Sequence, residues 1–213
     1  MKIFFYLMLV LSCFISSCSN DFEFDRNIVE KQFVTDDDFF AQLEVRNLMY
    51  QGSDESILVP NGECLIGAIM SAGEQLGVKW NYAIVRDLTQ LYLGNPSMDM
   101  EGQIIGYNTS LLTLKKFLGT FFEGVYFLPL NINGLEEKLG KDFTAIGLLE
   151  DKTNNTSHAY NIQSKCNKHK PDCFICYDPV TGKLEHLQAS SFEVSKCFLL
   201  RNPKRVPSSR NNE

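Results

Sequence analysis

The spacing of hydrophobic residues changes near the middle of the chain, and this change predicts the fold class. Before residue 119, apolar residues recur every three or four positions, as on one face of a helix. This spacing predicts helices over 36–51, 64–76, 81–93 and 110–118. After residue 124, short apolar and β-branched runs are separated by turn residues, as in strands. These runs predict strands at 124–131, 143–150, 158–164, 173–178, 183–188 and 197–202.

Helices in one half and strands in the other indicate an α+β domain. We expect an N-terminal helical half packed on a C-terminal, mainly antiparallel sheet, with a cleft between the two halves. One short helix, GLEEKLG at 134–140, lies between the first two predicted strands. Asn61 or Gly62 is suited to cap the start of the helix at Cys64, and Gly77 is suited to end it.

The first residues have the composition of a targeting segment. Ile3 to Ile15 is almost wholly apolar, which is too short for a transmembrane helix and suits a signal peptide. The next residues, Ile15-Ser16-Ser17-Cys18, resemble a bacterial lipobox. We therefore expect residues 1–17 to be a lipoprotein signal peptide, Cys18 to be lipidated, and 18–35 to be an acidic tether. An ordinary secretory signal cleaved nearby is the alternative.

A lipid on Cys18 would place the protein in the cell envelope. The serine and acidic residues that follow suggest the outer membrane or cell surface of a Gram-negative bacterium, held by acyl chains and not by a spanning helix. We expect one domain over 36–203, a flexible tail over 204–213, and a monomer. With 26 acidic and 20 basic residues, the net charge is −6, which argues against a nucleic-acid partner.

The cysteines add a constraint, because envelope proteins usually pair their thiols. Of seven cysteines, Cys13 would be removed and Cys18 lipidated. Four of the others cluster toward the C-terminus: Cys166, Cys173, Cys176 and Cys197. Two disulfides among these four would leave Cys64 as the odd free thiol. We favour Cys166–Cys173, closing a small hairpin loop, while the other pairings and a fully reduced chain remain open.

Three residues have local settings that thiol catalysis requires. Cys64 lies where a loop enters a helix, His158 opens a strand after a polar loop, and Asp178 ends a strand before Pro179. In the first helical turn, free backbone N–H groups and the helix dipole favour a thiolate, so we expect a low pKa for Cys64. An imidazole can act as base, and a carboxylate can fix its tautomer. Taken separately, each residue also suits an ordinary structural role: a buried cysteine, a surface histidine, or an aspartate that opens a turn.

Around these residues the sequence resembles papain-like cysteine peptidases, most closely the bacterial double-glycine (bacteriocin-leader) peptidase-like branch. The resemblance covers about residues 55–200. It rests on PNGEC at 60–64, HAYNI at 158–162 and YDPVTGKLEHLQASSFE at 177–193. It implies a papain-like fold, with Cys64 as nucleophile, His158 as base and Asp178 as orienter. It also implies a peptide or protein substrate and no metal or organic cofactor.

One position departs from the family pattern. The glutamine that papain-like enzymes usually place about six residues before the cysteine, to donate to the oxyanion, is replaced by Leu58. Gln51 is too distant in sequence unless a loop returns it. Asn61, together with the backbone N–H of Cys64, is therefore the candidate oxyanion donor. This departure puts full peptidase activity in question.

Hydrolysis of a peptide amide through a Cys64 thioester is the reaction that we expect, and three other interpretations stay open. A transglutaminase-like acyl transferase uses the same three residue types, and GECLIGAIMSAGEQLGV resembles its cysteine helix. A catalytically inactive papain-like module could bind a partner at the cell surface. Finally, four residues have ligand-like spacing for zinc: Cys166, His169, Cys173 and Cys176.

Overall fold

A six-stranded antiparallel sheet forms the centre of the computed structural model. The structure describes residues 36–50, 56–60, 62–94, 97–98, 100–102, 104–128, 135–151, 156–166, 172–192 and 196–205. All of these belong to one compact unit, Val34–Glu213. The predicted signal peptide, the lipidation site Cys18 and the acidic tether lie outside the described residues.

Helices occupy much of the first half of the described chain. They are α1 (Asp36–Tyr50), α2 (Gly62–Gln75), α3 (Tyr82–Leu93), α4 (Leu111–Leu118) and the short α5 (Leu135–Lys138). The strands are β1 (Ser56–Pro60), β2 (Ser97–Met98), β3 (Ile104–Ser110), β4 (Phe122–Phe127), β5 (Phe143–Asp151), β6 (Thr156–Lys165), β7 (Cys173–Asp178), β8 (Lys183–Gln188) and β9 (Cys197–Pro203). The α+β class is thus confirmed.

Local sequence signals account for the ends of the helices. The Asn81 side chain accepts a hydrogen bond from the Ala83 N–H and caps α3, and the Ser110 hydroxyl caps α4 through the Thr113 N–H. After α2, Gly77 has a φ of 84°, a conformation that glycine adopts without a steric penalty. The predicted end of α2 is therefore confirmed. Of the two proposed caps at its start, Asn61 lies outside the described residues.

The large sheet has the order β4-β9-β5-β6-β7-β8, and each neighbouring pair is antiparallel. The last strand, β9, lies inside the sheet between β4 and β5. Its residues Cys197–Leu200 are all buried, as expected for a strand covered on both faces. The predicted range for β4, 124–131, starts too late, because this strand begins at Phe122. Residues 129–131 of the predicted strand lie outside the described part of the chain.

A second sheet, which we did not predict, lies within the first half. It is three-stranded with the order β1-β3-β2, and Leu58 pairs with Asn108 across β1 and β3. Only helices were predicted before residue 119, so the expectation of a helical first half was wrong in this respect. The reason is physical: β2 has only two residues, and Pro60 on β1 and Gly106 on β3 weaken the usual strand signal.

Helices cover both faces of the large sheet. On one face, α2 buries Leu65, Ala68, Ile69 and Ala72 against a cluster that includes Ile146, Leu148 and Phe198. On the other face, α1 buries Phe39 and Leu43 against a cluster that includes Phe143, Ile162 and Leu199. Neighbouring residues on β5 and β9 therefore enter different cores, as the alternation of side chains along a strand requires.

A buried polar network joins α2 to the sheet. The Asn161 side-chain oxygen accepts from Ser71 Oγ at 2.9 Å and from Gln163 Nε2 at 3.2 Å. Its amide nitrogen donates to Thr144 Oγ1 at 2.7 Å and to the Ala145 carbonyl at 3.1 Å. Asn161 and Thr144 are fully buried, and these bonds offset the cost of removing their polar atoms from water. The network thus fixes the position of the helix that carries Cys64 relative to β6, which carries His158.

Candidate active site

His158 and Asp178 form a hydrogen-bonded pair at one end of the large sheet. Strands β6 and β7 are antiparallel neighbours, with Asn161 opposite Tyr177. This pairing brings the first residues of β6 near the end of β7. His158 Nε2 lies 2.8 Å from Asp178 Oδ1. His158 and Asp178 are twenty positions apart in the sequence, and the structure brings these two candidate catalytic residues together.

The Asp178 carboxylate is held by further bonds from the turn that follows it. Oδ1 also accepts from the Val180 N–H and Oδ2 from the Thr181 hydroxyl, both at 2.9 Å. Burial acts to raise the pKa of Asp178, but the bonds from Val180, His158 and Thr181 outweigh it and hold the pKa below its usual value. An ionised carboxylate accepts Nε2–H, which leaves Nδ1 of a neutral imidazole as its basic nitrogen. The turn-opening and catalytic interpretations of Asp178 are thus compatible.

Tyr160 supports His158 from the same strand, and the sequence analysis missed it. The two rings meet edge to face, with centroids 4.6 Å apart and an interplanar angle of 78°. The Tyr160 hydroxyl donates to Glu185 Oε2 at 3.3 Å. Burial, with the charges of Glu185 and Asp178, raises the pKa of Tyr160 to about 12, so the phenol stays protonated. The period-two alternation of HAYNI could have indicated that Tyr160 shares a face with His158.

Cys64 lies in the first turn of α2 and is almost completely buried. Burial raises the pKa of its thiol; the backbone amides of Ala159 and of Cys64 itself oppose this effect, and the Asp178 and Glu63 charges add to it. The prediction of a lowered pKa was therefore wrong, because desolvation exceeds the stabilisation that the helix start provides. Ala159 directly follows His158, so the thiol lies beside the segment that carries the imidazole.

The remaining residues of the predicted site are only partly described. Asn61 and Gln51 lie outside the described residues. Leu58, at the position of the family's glutamine, lies on β1 with its backbone paired to Asn108. The backbone N–H of Cys64 is thus the candidate oxyanion donor that the structure describes.

The disulfide prediction was half right. Cys166 and Cys173 are bonded, as predicted, but Cys176 and Cys197 are free and buried. Cys176 lies on β7 and Cys197 on β9, and two strands separate them in the sheet. Three strand spacings amount to about 14 Å, beyond the reach of a disulfide. Cys64 is thus one of three described cysteines that are not in a disulfide, so being the odd thiol no longer singles it out.

The zinc ligand set that the spacing suggested is not assembled. The Cys176 sulfur is buried and lies 3.9 Å from the Phe174 carbonyl oxygen, as a weak donor to it. Burial, with the charge of Glu185, raises the pKa of Cys176 to about 12. His169 lies outside the described residues. The residues positioned to hold a metal ion are instead Cys166, Cys173 and His186.

A cleft of about 630 Å³ lies between α2 and the strands that carry the histidine and aspartate. Its walls include Gly67, Met70 and Ser71 from α2 and Gln163, Tyr177 and Pro179 from the sheet. Gly67 lies one helical turn after Cys64, and Pro179 follows Asp178. A cleft is thus present between α2 and the sheet, but the described residues that line it do not include Cys64, His158 or Asp178.

Gly67 allows close contact between α2 and the turn that holds Asp178. A Cβ atom at Gly67 would lie 2.5 Å from Pro179 Cβ. We expect Gly67→Ala to lower the free energy of unfolding by about 2 kcal/mol, since overpacking displaces the turn. Urea denaturation would measure this loss.

A second substitution provides the control. Pro179→Gly removes the opposing Cβ atom, so the double variant should lose less stability than the two single losses added together. Additive losses would show that this contact is not the cause.

The lowered pKa of Asp178 predicts a pH dependence of stability. A carboxyl whose pKa is lower in the folded state contributes stability above its unfolded pKa of 3.8, and this contribution is lost as the pH falls through the folded value. We expect the unfolding midpoint of the wild type to fall below about pH 4, and that of Asp178→Asn to fall less. Thermal unfolding between pH 2 and 6 would measure both. Parallel curves would contradict the assignment.

The comparisons with known proteins assign no family. No family model matches the chain, and no curated protein matches it significantly. Within the described part of the chain, no helix is both long and apolar enough to cross a bilayer. The geometry of the site and the motifs in the sequence are therefore the features that bear on its function.

Proposed function

We propose that this protein is a papain-like cysteine hydrolase that cleaves a peptide amide bond through a thioester on Cys64. The observation that carries the proposal is the 2.8 Å bond between His158 Nε2 and Asp178 Oδ1, together with the position of the Cys64 thiol against the backbone of Ala159, the next residue after His158. A nucleophile next to a base that a third group orients is the arrangement of covalent acyl-transfer catalysis. The double-glycine peptidase-like motifs point to the same chemistry.

In the proposed reaction His158 acts first as a base, because Cys64 is a thiol at rest. The imidazole takes the thiol proton as the sulfur attacks the substrate carbonyl carbon, and Asp178 stabilises the imidazolium that forms. The tetrahedral intermediate collapses, the C–N bond breaks, and the leaving amine takes the proton from His158. Water then cleaves the thioester, with His158 again as base. The Cys64 N–H and Asn61 are the proposed oxyanion donors.

The cleft offers both apolar and polar groups to a peptide substrate. Met70 and Trp80 contribute apolar surface, and Ser71 and Gln163 contribute polar groups. Glu74 and Lys79, which form a 2.7 Å ion pair, also line it. Apolar and polar groups along one groove suit a chain whose side chains and backbone amides alternate.

A defined peptide library incubated with the protein, with Cys64→Ala as the blank, would test the proposal. New termini mapped by mass spectrometry should appear with the wild type and be absent with the variant. Identical peptide sets would overturn hydrolysis. Ligated products in the presence of an added amine would instead indicate the transglutaminase-like alternative, since an amine in place of water then resolves the thioester.

A second candidate function is a catalytically inactive binding module. The observation that favours it is the burial of Cys64, whose raised pKa disfavours the reactive thiolate. This candidate predicts that a peptide from the library binds wild type and Cys64→Ala equally and leaves both uncleaved.

The proposal includes a lipid anchor on Cys18 at the outer membrane or cell surface. We expect the protein to incorporate an alkyne fatty acid in cells and to sediment with membranes. Cys18→Ser should remove both properties, while Cys13→Ser should keep them. Labelling of the Cys18→Ser variant would contradict lipidation at this position.

A further inference from the structure

Three potential metal ligands meet at the end of the sheet opposite to His158. Cys166 directly follows β6, Cys173 begins β7, and His186 lies on β8. His186 Nδ1 lies 3.2 Å from Cys166 Sγ and 3.9 Å from Cys173 Sγ. Cys166 lies eight residues beyond His158 along β6, about 26 Å away in an extended strand. The cluster is therefore separate from the candidate catalytic residues.

The backbone fixes these ligands relative to one another. The Cys166 N–H donates to the Cys173 carbonyl at 2.7 Å, and this bond holds the two cysteines with Cα atoms 5.1 Å apart. Across β7 and β8, Cys173 pairs with Gln188 and Ile175 with His186. His186 is therefore the diagonal neighbour of Cys173 on adjacent strands.

We propose that the reduced protein binds one zinc ion through Cys166, Cys173 and His186, and that the Cys166–Cys173 disulfide closes this site. In a tetrahedral zinc site, metal–ligand lengths of about 2.3 Å to sulfur and 2.05 Å to nitrogen place sulfur and nitrogen about 3.5 Å apart. The two observed Nδ1–Sγ distances bracket that value. After reduction, a tetrahedral site requires the two sulfurs to separate to about 3.8 Å.

The step from disulfide to metal site balances with a dithiol as reductant. The dithiol supplies two electrons and two protons, becomes a disulfide itself, and leaves Cys166 and Cys173 as thiols. Zinc then displaces both thiol protons to solvent and forms two Zn–S bonds and one Zn–N bond. Three protein ligands leave a fourth position for water.

Two thiolates and an imidazole favour zinc over the hard cations magnesium and calcium, which prefer oxygen ligands. Cys173 is buried, Cys166 is half-buried and His186 is exposed, so the metal would lie at the surface with an entry path from solvent. The site would therefore respond to two conditions at once, the redox state of its surroundings and the available zinc.

Cobalt(II), whose bonds to thiolate absorb in the near ultraviolet, is the probe for the test. The protein would carry Cys64→Ser, so that the Cys64 thiol contributes no signal. After reduction and removal of the reductant without oxygen, we expect one cobalt per chain, with charge-transfer absorption that zinc abolishes. The unreduced protein should show no such absorption.

Two variants separate this site from other thiols. His186→Ala changes an exposed residue and should weaken cobalt binding about tenfold or more. Gln188→Ala, two residues along the same strand and also exposed, is the matched control and should bind as tightly as the parent protein. No binding after reduction, or equal affinity in His186→Ala and its parent, would overturn the proposal. Because the readout is metal binding, the result does not depend on catalysis at Cys64.

Discussion

His158→Ala is expected to lower kcat/KM for peptide hydrolysis by about 10⁴-fold, at the upper end of what general-base catalysis contributes. The reason is the protonation state of the nucleophile. Because burial raises the pKa of Cys64, the thiol has to lose its proton during the attack. The imidazole that Asp178 orients is the group placed to accept it. Initial rates on a library peptide that the wild type cleaves would measure the loss.

The pH profile distinguishes a lost base from a damaged fold. Without His158, hydroxide has to deprotonate Cys64, so residual activity should rise about tenfold per pH unit. Added imidazole should restore part of the rate. Lys165→Ala, at the other end of the same strand, removes a surface ion pair with Glu136 and should leave the rate within about twofold. A pH-independent residual rate that imidazole does not raise would assign a structural role to His158.

Asn161→Leu is expected to lower the free energy of unfolding by about 3 kcal/mol. Leucine has nearly the same size but makes none of the four hydrogen bonds of the amide. The Ala145 carbonyl and the Ser71 hydroxyl would each lose the bond that they make to Asn161, as would the Gln163 amide. Thr144 would lose one of two bonds. Removing one member of a satisfied buried network costs more than an average hydrogen bond, because the others stay desolvated. Urea unfolding with a constant m-value would measure the loss.

Ser71→Ala is the matched control for Asn161→Leu. It removes one bond of the same network from the helix side and should cost about 1 kcal/mol. Equal losses in the two variants would show that the bonds of Asn161 to β5 contribute little.

Features that depend on the chemistry of neighbouring residues could be predicted from the sequence. Asn81, Ser110 and Gly77 mark helix ends because a side-chain cap or a positive φ is a property of a few neighbouring residues. The pairing of His158 with Asp178 was predictable for a similar reason. One strand, one loop and one strand separate them, which places their ends side by side.

Features that depend on long-range packing were missed. The pKa of Cys64 depends on how much of the sheet covers α2, and no local pattern reports that burial. The two unpaired cysteines follow from strand order: Cys176 and Cys197 both belong to buried strands, but only the sheet topology shows that β5 and β6 separate them. Likewise, His186 joins Cys166 and Cys173 only because β8 folds back beside β7.

The interior position of β9 determines when the domain can fold. Gly124 on β4 pairs with Arg201, and Thr144 on β5 pairs with Leu200, so the last strand connects two strands made much earlier during synthesis. Until Cys197–Pro203 leaves the ribosome, β4 has no neighbour in the large sheet, one core lacks Phe198 and the other lacks Leu199. The large sheet is therefore complete only once Cys197–Pro203 is available, and a chain that ends before Cys197 would expose the edges of β4 and β5 to aggregation.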